Sequence, residues 1–338
     1  MNKILVVNVN WLGDVIFSVP VFKALKAAYP QAKVSCLAVP RVGEVLQMCP
    51  FVDEVIIYDE DDKHRHFWKK LKIANLLRSK KFDAAFLLHR SLTRALIIFL
   101  AGIPKRVGYT TKTPRWLLTH PVQSLNGDAH RSLDYLNVVE SFGIAVFDQT
   151  CQLSVPQSES NAIQRKLAEN GIGQDDKFVV LNPGGNWDLK RWPQENFAAL
   201  TRNLVEQFKV RVVISGADKD QALAKNIAQE SKVNPVVLAG QTKFKELAAL
   251  FYRAQVVISA DTGPLHLASG VGTKTIALFG PTRPEITGPR GSGKRTVLHN
   301  DVGCNKTPCY HLACGQNVCM QSITVDDVLQ AFQKIRNQ

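Results

Sequence analysis

VVISADTGPLHLASGVGTKTIALF, residues 256–279, reads as a strand, a turn, a short helix and a second strand. The runs 256–259 and 275–279 are short and dominated by apolar and β-branched residues, as strands covered on both faces are. Asp261, Thr262 and Gly263 interrupt the pattern, and Pro264 suits a first helical turn. Two strands joined by a crossover helix run parallel.

The same alternation extends in both directions. FVVLN (178–182), RVVIS (211–215) and PVVL (235–238) read as further strands, with helices expected over 194–208, 218–231 and 244–253. An earlier series comprises KILVVN (3–8), KVSCLA (33–38), EVIIY (54–58) and AAFLL (84–88), separated by amphipathic stretches at 15–28 and 68–80. Two series imply two sheets in an α/β protein. The expected division is a first domain at 1–155, a second at 156–324, with the polar stretch 156–161 as linker, and a closing amphipathic helix within 325–338. No fixed-period repeat is visible.

The 338 residues also give a prior of about two domains at roughly 150 residues each. With 45% hydrophobic and 21% charged positions, the composition excludes a disordered or collagen-like chain. The apolar run 95–103 is about half of the roughly 20 residues that a membrane-spanning helix needs. No secretory signal is recognisable in MNKILVVN, so a cytosolic location is expected. The net charge is +13, and residues 61–115 hold 14 Lys and Arg against three acids. An anionic partner is therefore expected: nucleic acid, a membrane surface or a phosphorylated substrate, unless the cations are simply a solvated helix face. Of seven cysteines, Cys36, Cys49 and Cys151 read as buried thiols. Cys304, Cys309, Cys314 and Cys319 recur every five residues near His311, and the default reading is a reduced cluster bracing a loop, with a structural metal or disulfides as the alternatives.

Ligands of open parallel sheets bind beyond the carboxyl ends of the strands, which directs attention to four turns. In WLGD (11–14), Asp14 stands at a helix amino terminus, where a capping role competes with catalysis. In PGGNWDLKRWP (183–193), small residues precede Lys190 and Arg191, which suits a loop folded over a diphosphate. In SADTGPLHLA (259–268), Thr262 and Gly263 offer a hydroxyl and N–H groups to an anion at a helix amino terminus. Asp261 there is expected to face neutral hydroxyls rather than phosphate, and His266 serves either packing or ligand contact. FGPTRPE (279–285) opens a long, Gly- and Pro-rich loop. No GxxxxGK[ST] or GxGxxG pattern supports a P-loop or dinucleotide site.

Together these four motifs, with LAGIPKRVGY at 100–109, resemble glycosyltransferase family 9, the ADP-heptose:lipopolysaccharide heptosyltransferases, and its heptosyltransferase II branch in particular. The resemblance runs through essentially the whole chain. It implies a GT-B fold of two facing Rossmann-like domains with parallel sheets and an interdomain cleft, the acceptor on the first and the sugar nucleotide on the second. By position it implies Asp14 as the catalytic base, Lys190 (with Arg191) on the donor phosphates, and Asp261, Thr262, Gly263 and His266 in the donor-binding turn. Asp220 falls near a family acid that contacts the ribose. The implied reaction is inverting transfer of heptose from ADP-heptose to the lipopolysaccharide inner core, without a metal or other cofactor, by an enzyme resting on the inner face of the cytoplasmic membrane and binding no nucleic acid.

Two rival readings are kept. Asp59 and Asp61 in YDEDD (58–62) form an Asp-x-Asp pattern that could bind a divalent cation in a metal-dependent nucleotide-sugar transferase. The basic stretch 61–115 could instead mark a nucleic-acid-binding protein, although no zinc-finger, RNP or KH signature accompanies it.

Overall fold

A computed structural model describes residues 1–60, 62–64, 66–125, 128–304, 306, 308–309 and 314–337, and the backbone alone of 67. Asp61 and His311 lie outside the described residues. The chain divides into two compact units, Met1–Ser154 and Val155–Gln338.

In the first unit, β1 (Lys3–Val7), β2 (Lys33–Ala38), β3 (Glu54–Ile57), β4 (Ala84–Leu87), β5 (Lys105–Tyr109) and β6 (His120–Val122) form one parallel sheet in the order β3-β2-β1-β4-β5-β6. The helices are α1 (Leu12–Phe17), α2 (Val19–Ala28), α3 (Gly43–Gln47), α4 (Phe67–Lys80), α5 (Leu92–Leu100) and α6 (Arg131–Glu140). β1 and β4 are apolar and buried from Ile4 to Val7 and from Ala84 to Leu87, because helices cover both faces of the sheet. The expected helix over 15–28 is two helices, α1 and α2, meeting at Ser18; the buried Ser18 hydroxyl donates to the Val15 carbonyl at 2.7 Å. α4 turns Ile73, Ala74 and Leu77 inward and leaves Lys69, Lys72 and Arg78 exposed, whereas Lys70 and Lys80 are half-buried and Lys80 pairs with Glu54.

The second unit repeats the plan. β7 (Phe178–Asn182), β8 (Arg211–Ile214), β9 (Val236–Val237), β10 (Val256–Ala260), β11 (Thr275–Phe279) and β12 (Arg295–His299) pair in parallel in the order β12-β11-β10-β7-β8-β9. Its helices are α7 (Gln157–Glu169), α8 (Gln194–Glu206), α9 (Gln221–Ser231), α10 (Phe244–Arg253), α11 (Gly263–Gly270), α12 (Pro284–Thr287), α13 (Val318–Gln321) and α14 (Val325–Arg336). Two doubly wound parallel sheets are the α/β, GT-B class that the resemblance implied.

Two expectations are corrected. Residues 157–161 are not a linker but the first turns of α7, which buries Ile163 and Leu167 and packs against α10. Pro156 sits immediately before this helix, in extended backbone. The closing helix α14 is not a separate part: Val328, Leu329, Phe332 and Ile335 belong to the core of the second unit. Its start is fixed by a capping box in which Thr324 accepts from the Asp327 N–H at 3.1 Å and Asp327 accepts from the Thr324 N–H at 2.9 Å.

Candidate active site

In each sheet the chain winds outward from a central pair, β1/β4 in the first unit and β10/β7 in the second. The crevice beyond the carboxyl ends of such a pair is where ligands of doubly wound folds bind. Of the predicted residues, Asp14 follows β1, Lys190 and Arg191 follow β7, Asp261, Thr262, Gly263 and His266 follow β10, and Asp220 follows the neighbouring β8.

In the second unit, β7 ends in Asn182, Ser215 directly follows β8, and Ser259 is the penultimate residue of β10. The Ser215 hydroxyl donates to Asn182 Oδ1 at 3.2 Å, and Asn182 Nδ2 donates to Ser259 Oγ at 3.4 Å. The loop after β7 lies against the turn after β10: a Cβ on Gly185 would stand 3.1 Å from Thr262 Cγ2. A Cβ on Gly184 would lie 2.3 Å from Asp220 Oδ2, so the loop passes directly over that buried carboxylate. Asp220 itself accepts from the Ala217 N–H at 3.0 Å.

Asp261, 4% exposed, is the hub. One oxygen accepts from Lys190 Nζ and from Thr282 Oγ1, each at 2.7 Å, and from Thr287 Oγ1 at 3.2 Å; the other faces His266 Nε2 at 3.2 Å. Burial by itself would raise this carboxyl; the hydrogen bond from His266 and the charge of Lys190 outweigh it and hold it well below the usual carboxylate range. The expected neutral hydroxyls are therefore present, supplied by the protein's own Thr282 and Thr287, together with two basic groups. His266 is buried and engaged with Asp261.

Lys190 also lies 5.2 Å from the centre of the Trp187 ring. Arg191 faces the loop instead, donating to the Gly185 carbonyl at 2.8 Å and pairing with Asp188 at 3.1 Å. Thr262 is the residue before α11, with Gly263 and Pro264 in its first turn. The Thr262 side chain does not cap the helix; its hydroxyl lies 3.2 Å from Ser259 Oγ. An uncapped helix amino terminus beside a lysine and a glycine loop has the chemistry to receive an anion. Lys219, which sequence reading did not single out, adds a further cation by donating to Asn186 Oδ1 at 2.6 Å.

In the first unit, Asp14 is not an N-cap. Trp11 holds that place, and Asp14 sits three residues into α1, where the helix amino terminus favours its charge. The Tyr135 hydroxyl of α6 donates to Asp14 Oδ1 at 2.8 Å. The loop that leads from β1 into α1 is fastened by Arg94, whose side chain is 1% exposed. Its guanidinium donates to the Asn8 carbonyl at 2.6 Å, to Asn10 Oδ1 at 2.7 Å and to Glu60 Oε1 at 3.0 Å. One buried cation thus ties the loops after β1 and β3 to α5. Its sequence signal is a lone arginine opening the apolar run 95–103.

Asp59 accepts from the Asp62 N–H at 3.2 Å, and its own N–H donates to His64 Nδ1 at 3.0 Å; Asp61, its partner in the metal reading, lies outside the described residues. Cys304 and Cys314 are exposed, Cys319 is half-buried and Cys309 buried, all as free thiols. The N–H groups of Asn317 and Gln316 lower the Cys314 thiol, whereas burial raises that of Cys319. Among the described residues no group of three His, Cys, Asp or Glu side chains is placed to hold a metal. No helix among them is long and apolar enough to cross a membrane.

Comparison with known proteins covers the full length. The sequence profile of glycosyltransferase family 9 (heptosyltransferase) matches residues 70–315. Lipopolysaccharide heptosyltransferase 2 of Salmonella typhimurium is 27% identical over 347 residues, 99% of each chain. That of Escherichia coli is 27% identical over 339 residues, 97% of each. Among solved structures, a family 9 glycosyl transferase from Veillonella parvula has a TM-score of 0.87 at 22% identity, covering 99% of this chain and 97% of its own. The Escherichia coli ADP-heptose heptosyltransferase II has a TM-score of 0.80 at 23% identity, covering 99% of both.

Proposed function

The chain belongs to glycosyltransferase family 9, the heptosyltransferases, and from that premise we propose that it moves a heptose from ADP-heptose to the lipopolysaccharide inner core with inversion at the anomeric carbon. The observation that carries the donor half of this reading is the Asp261 hub. Its carboxylate is itself fully engaged by hydrogen bonds and cannot welcome a second anion, but it holds Lys190 beside the uncapped start of α11. A diphosphate arriving there meets the Lys190 ammonium, the Gly263 N–H and the Thr262 hydroxyl. Charge growing on the departing nucleoside diphosphate is stabilised by the same groups.

Asp14 removes the proton from the acceptor hydroxyl as it attacks the anomeric carbon from the side opposite the diphosphate. A carboxylate suits this task because the proton leaves as the bond forms. Lys190 and the helix terminus supply the electrostatic work that a divalent cation does elsewhere, so turnover should be insensitive to chelators. Asp220, beneath the glycine loop, is the proposed ribose contact.

The experiment is a thermal-shift panel of ADP, UDP, GDP and CMP, followed by transfer from ADP-heptose to a heptose-deficient core acceptor. ADP should give the largest shift, and transfer should continue in EDTA. Preference for a pyrimidine nucleotide would contradict the reading. The membrane association we propose rests on the exposed cations of α4, with which anionic lipid would interact. Liposomes bearing anionic glycolipid should retain the protein less as salt rises, and no retention at low salt would remove that part.

A further inference from the structure

We propose that Tyr135 is a positioning residue for Asp14, its hydroxyl occupying Oδ1 so that Oδ2 is presented to the acceptor hydroxyl. The inference rests on Asp14 being the base. Tyr135 is 8% exposed and projects from α6, which packs against α1. Its hydroxyl meets the half-buried Asp14 carboxylate at 2.8 Å, 121 residues away in the chain. No other hydrogen bond reaches that carboxylate among the described residues.

A structural tyrosine would serve equally well bonded to backbone, and the same helix shows the contrast. The Tyr109 hydroxyl donates to the Asp134 carbonyl, and Asn137 Nδ2 donates to the Gln123 carbonyl at 3.0 Å. These contacts already fasten α6, as does the His130 ring that accepts from the Ser132 N–H at 3.1 Å. The Tyr135 hydroxyl is surplus to that anchoring. Burial, then the negative charge of Asp14, pushes the Tyr135 phenol well above its ordinary value, so it remains protonated and can only donate to the carboxylate.

A bond donated to one oxygen fixes the orientation of the carboxylate and directs the other oxygen outward. Its loss should therefore misplace the base and slow turnover while leaving donor binding alone. Other ionisable groups stand around α1, and the His130 ring at the start of α6 meets Phe17 of α1 edge-on at 5.0 Å. On α6, Arg131 and Asp134 act on Tyr135, and Arg131 lies 3.6 Å from Asp134. On α2, Lys23 pairs with Asp148 and Lys26 with Asp53. On the α3 side, Arg41 covers the Trp11 ring and donates to the Asn10 carbonyl, and Glu44 is exposed.

The test compares kcat, acceptor KM and ADP affinity for the full chain, Tyr135→Phe, and a variant with 3,5-difluorotyrosine at position 135, with ADP affinity as the check on folding. Tyr135→Phe should lower kcat roughly tenfold at unchanged acceptor KM and ADP affinity. The fluorinated phenol keeps the donor in place and should retain most of the turnover. If Tyr135→Phe turns over like the unmodified enzyme while Asp14→Asn is inactive, the inference about Tyr135 fails and the assignment of the base survives. If Asp14→Asn turns over normally, the assignment of the base fails and takes the inference with it.

Discussion

Asp261 is a buried charge whose stability depends entirely on its partners. Removing one partner from such a cluster typically costs 3–5 kcal/mol, far more than an exposed ion pair contributes. Because its carboxyl is held below the ordinary 3.8, its contribution to folding is fully present above that pH and disappears as pH falls through the folded value. Asp261→Asn should therefore show a flatter loss of stability below about pH 4 in acid titrations followed by circular dichroism. Freed from its counter-charge, Lys190 loses its fixed position, and ADP affinity should fall about tenfold by calorimetry. Sequence reading found Asp261 because a carboxylate beside Thr-Gly-Pro at a strand end is conspicuous. It could not find Thr287 or Tyr135 as partners, because the residues they meet lie 26 and 121 positions away and local spacing carries no trace of the pairing. The capping role that competed with catalysis at Asp14 does not hold, because α1 begins two residues earlier, at Leu12, without a capping side chain.

At the scale of elements, the central strands were the most legible, since β1, β4, β7, β10 and β11 are short apolar runs that only a two-sided sheet buries. β5, β6 and β12 escaped notice. β6 contains Pro121 and lies at a sheet edge, where proline is tolerated, and β12 is only half-buried at the opposite edge of its own sheet. Both edges lack the unbroken apolar pattern. The glycine loop after β7 makes a separate prediction about packing. A methyl at Gly184 would collide with the Asp220 carboxylate, so Gly184→Ala should cost roughly 1–3 kcal/mol in urea unfolding. In an Asp220→Ala background the same change should cost less than about 1 kcal/mol, because the obstructing oxygen is gone. Equal costs in the two backgrounds would show that the loop does not rest on that carboxylate.

Across the whole molecule, the two units share a plan but carry opposite chemistry. The second gathers Lys190, His266 and two threonine hydroxyls around a buried acid, and the first presents a half-buried carboxylate held by a neutral phenol. The surplus of 42 basic over 29 acidic residues is partly displayed on the exposed side of α4 in the first unit. This division predicts that donor binding and chemistry separate cleanly by mutation. The most direct test is to measure kcat and the ADP dissociation constant on one preparation of Asp14→Asn. The account predicts that kcat falls by a factor on the order of 10³ while ADP affinity stays within about twofold. Turnover near that of the unaltered enzyme, or a loss of ADP affinity matching the loss of turnover, would contradict it.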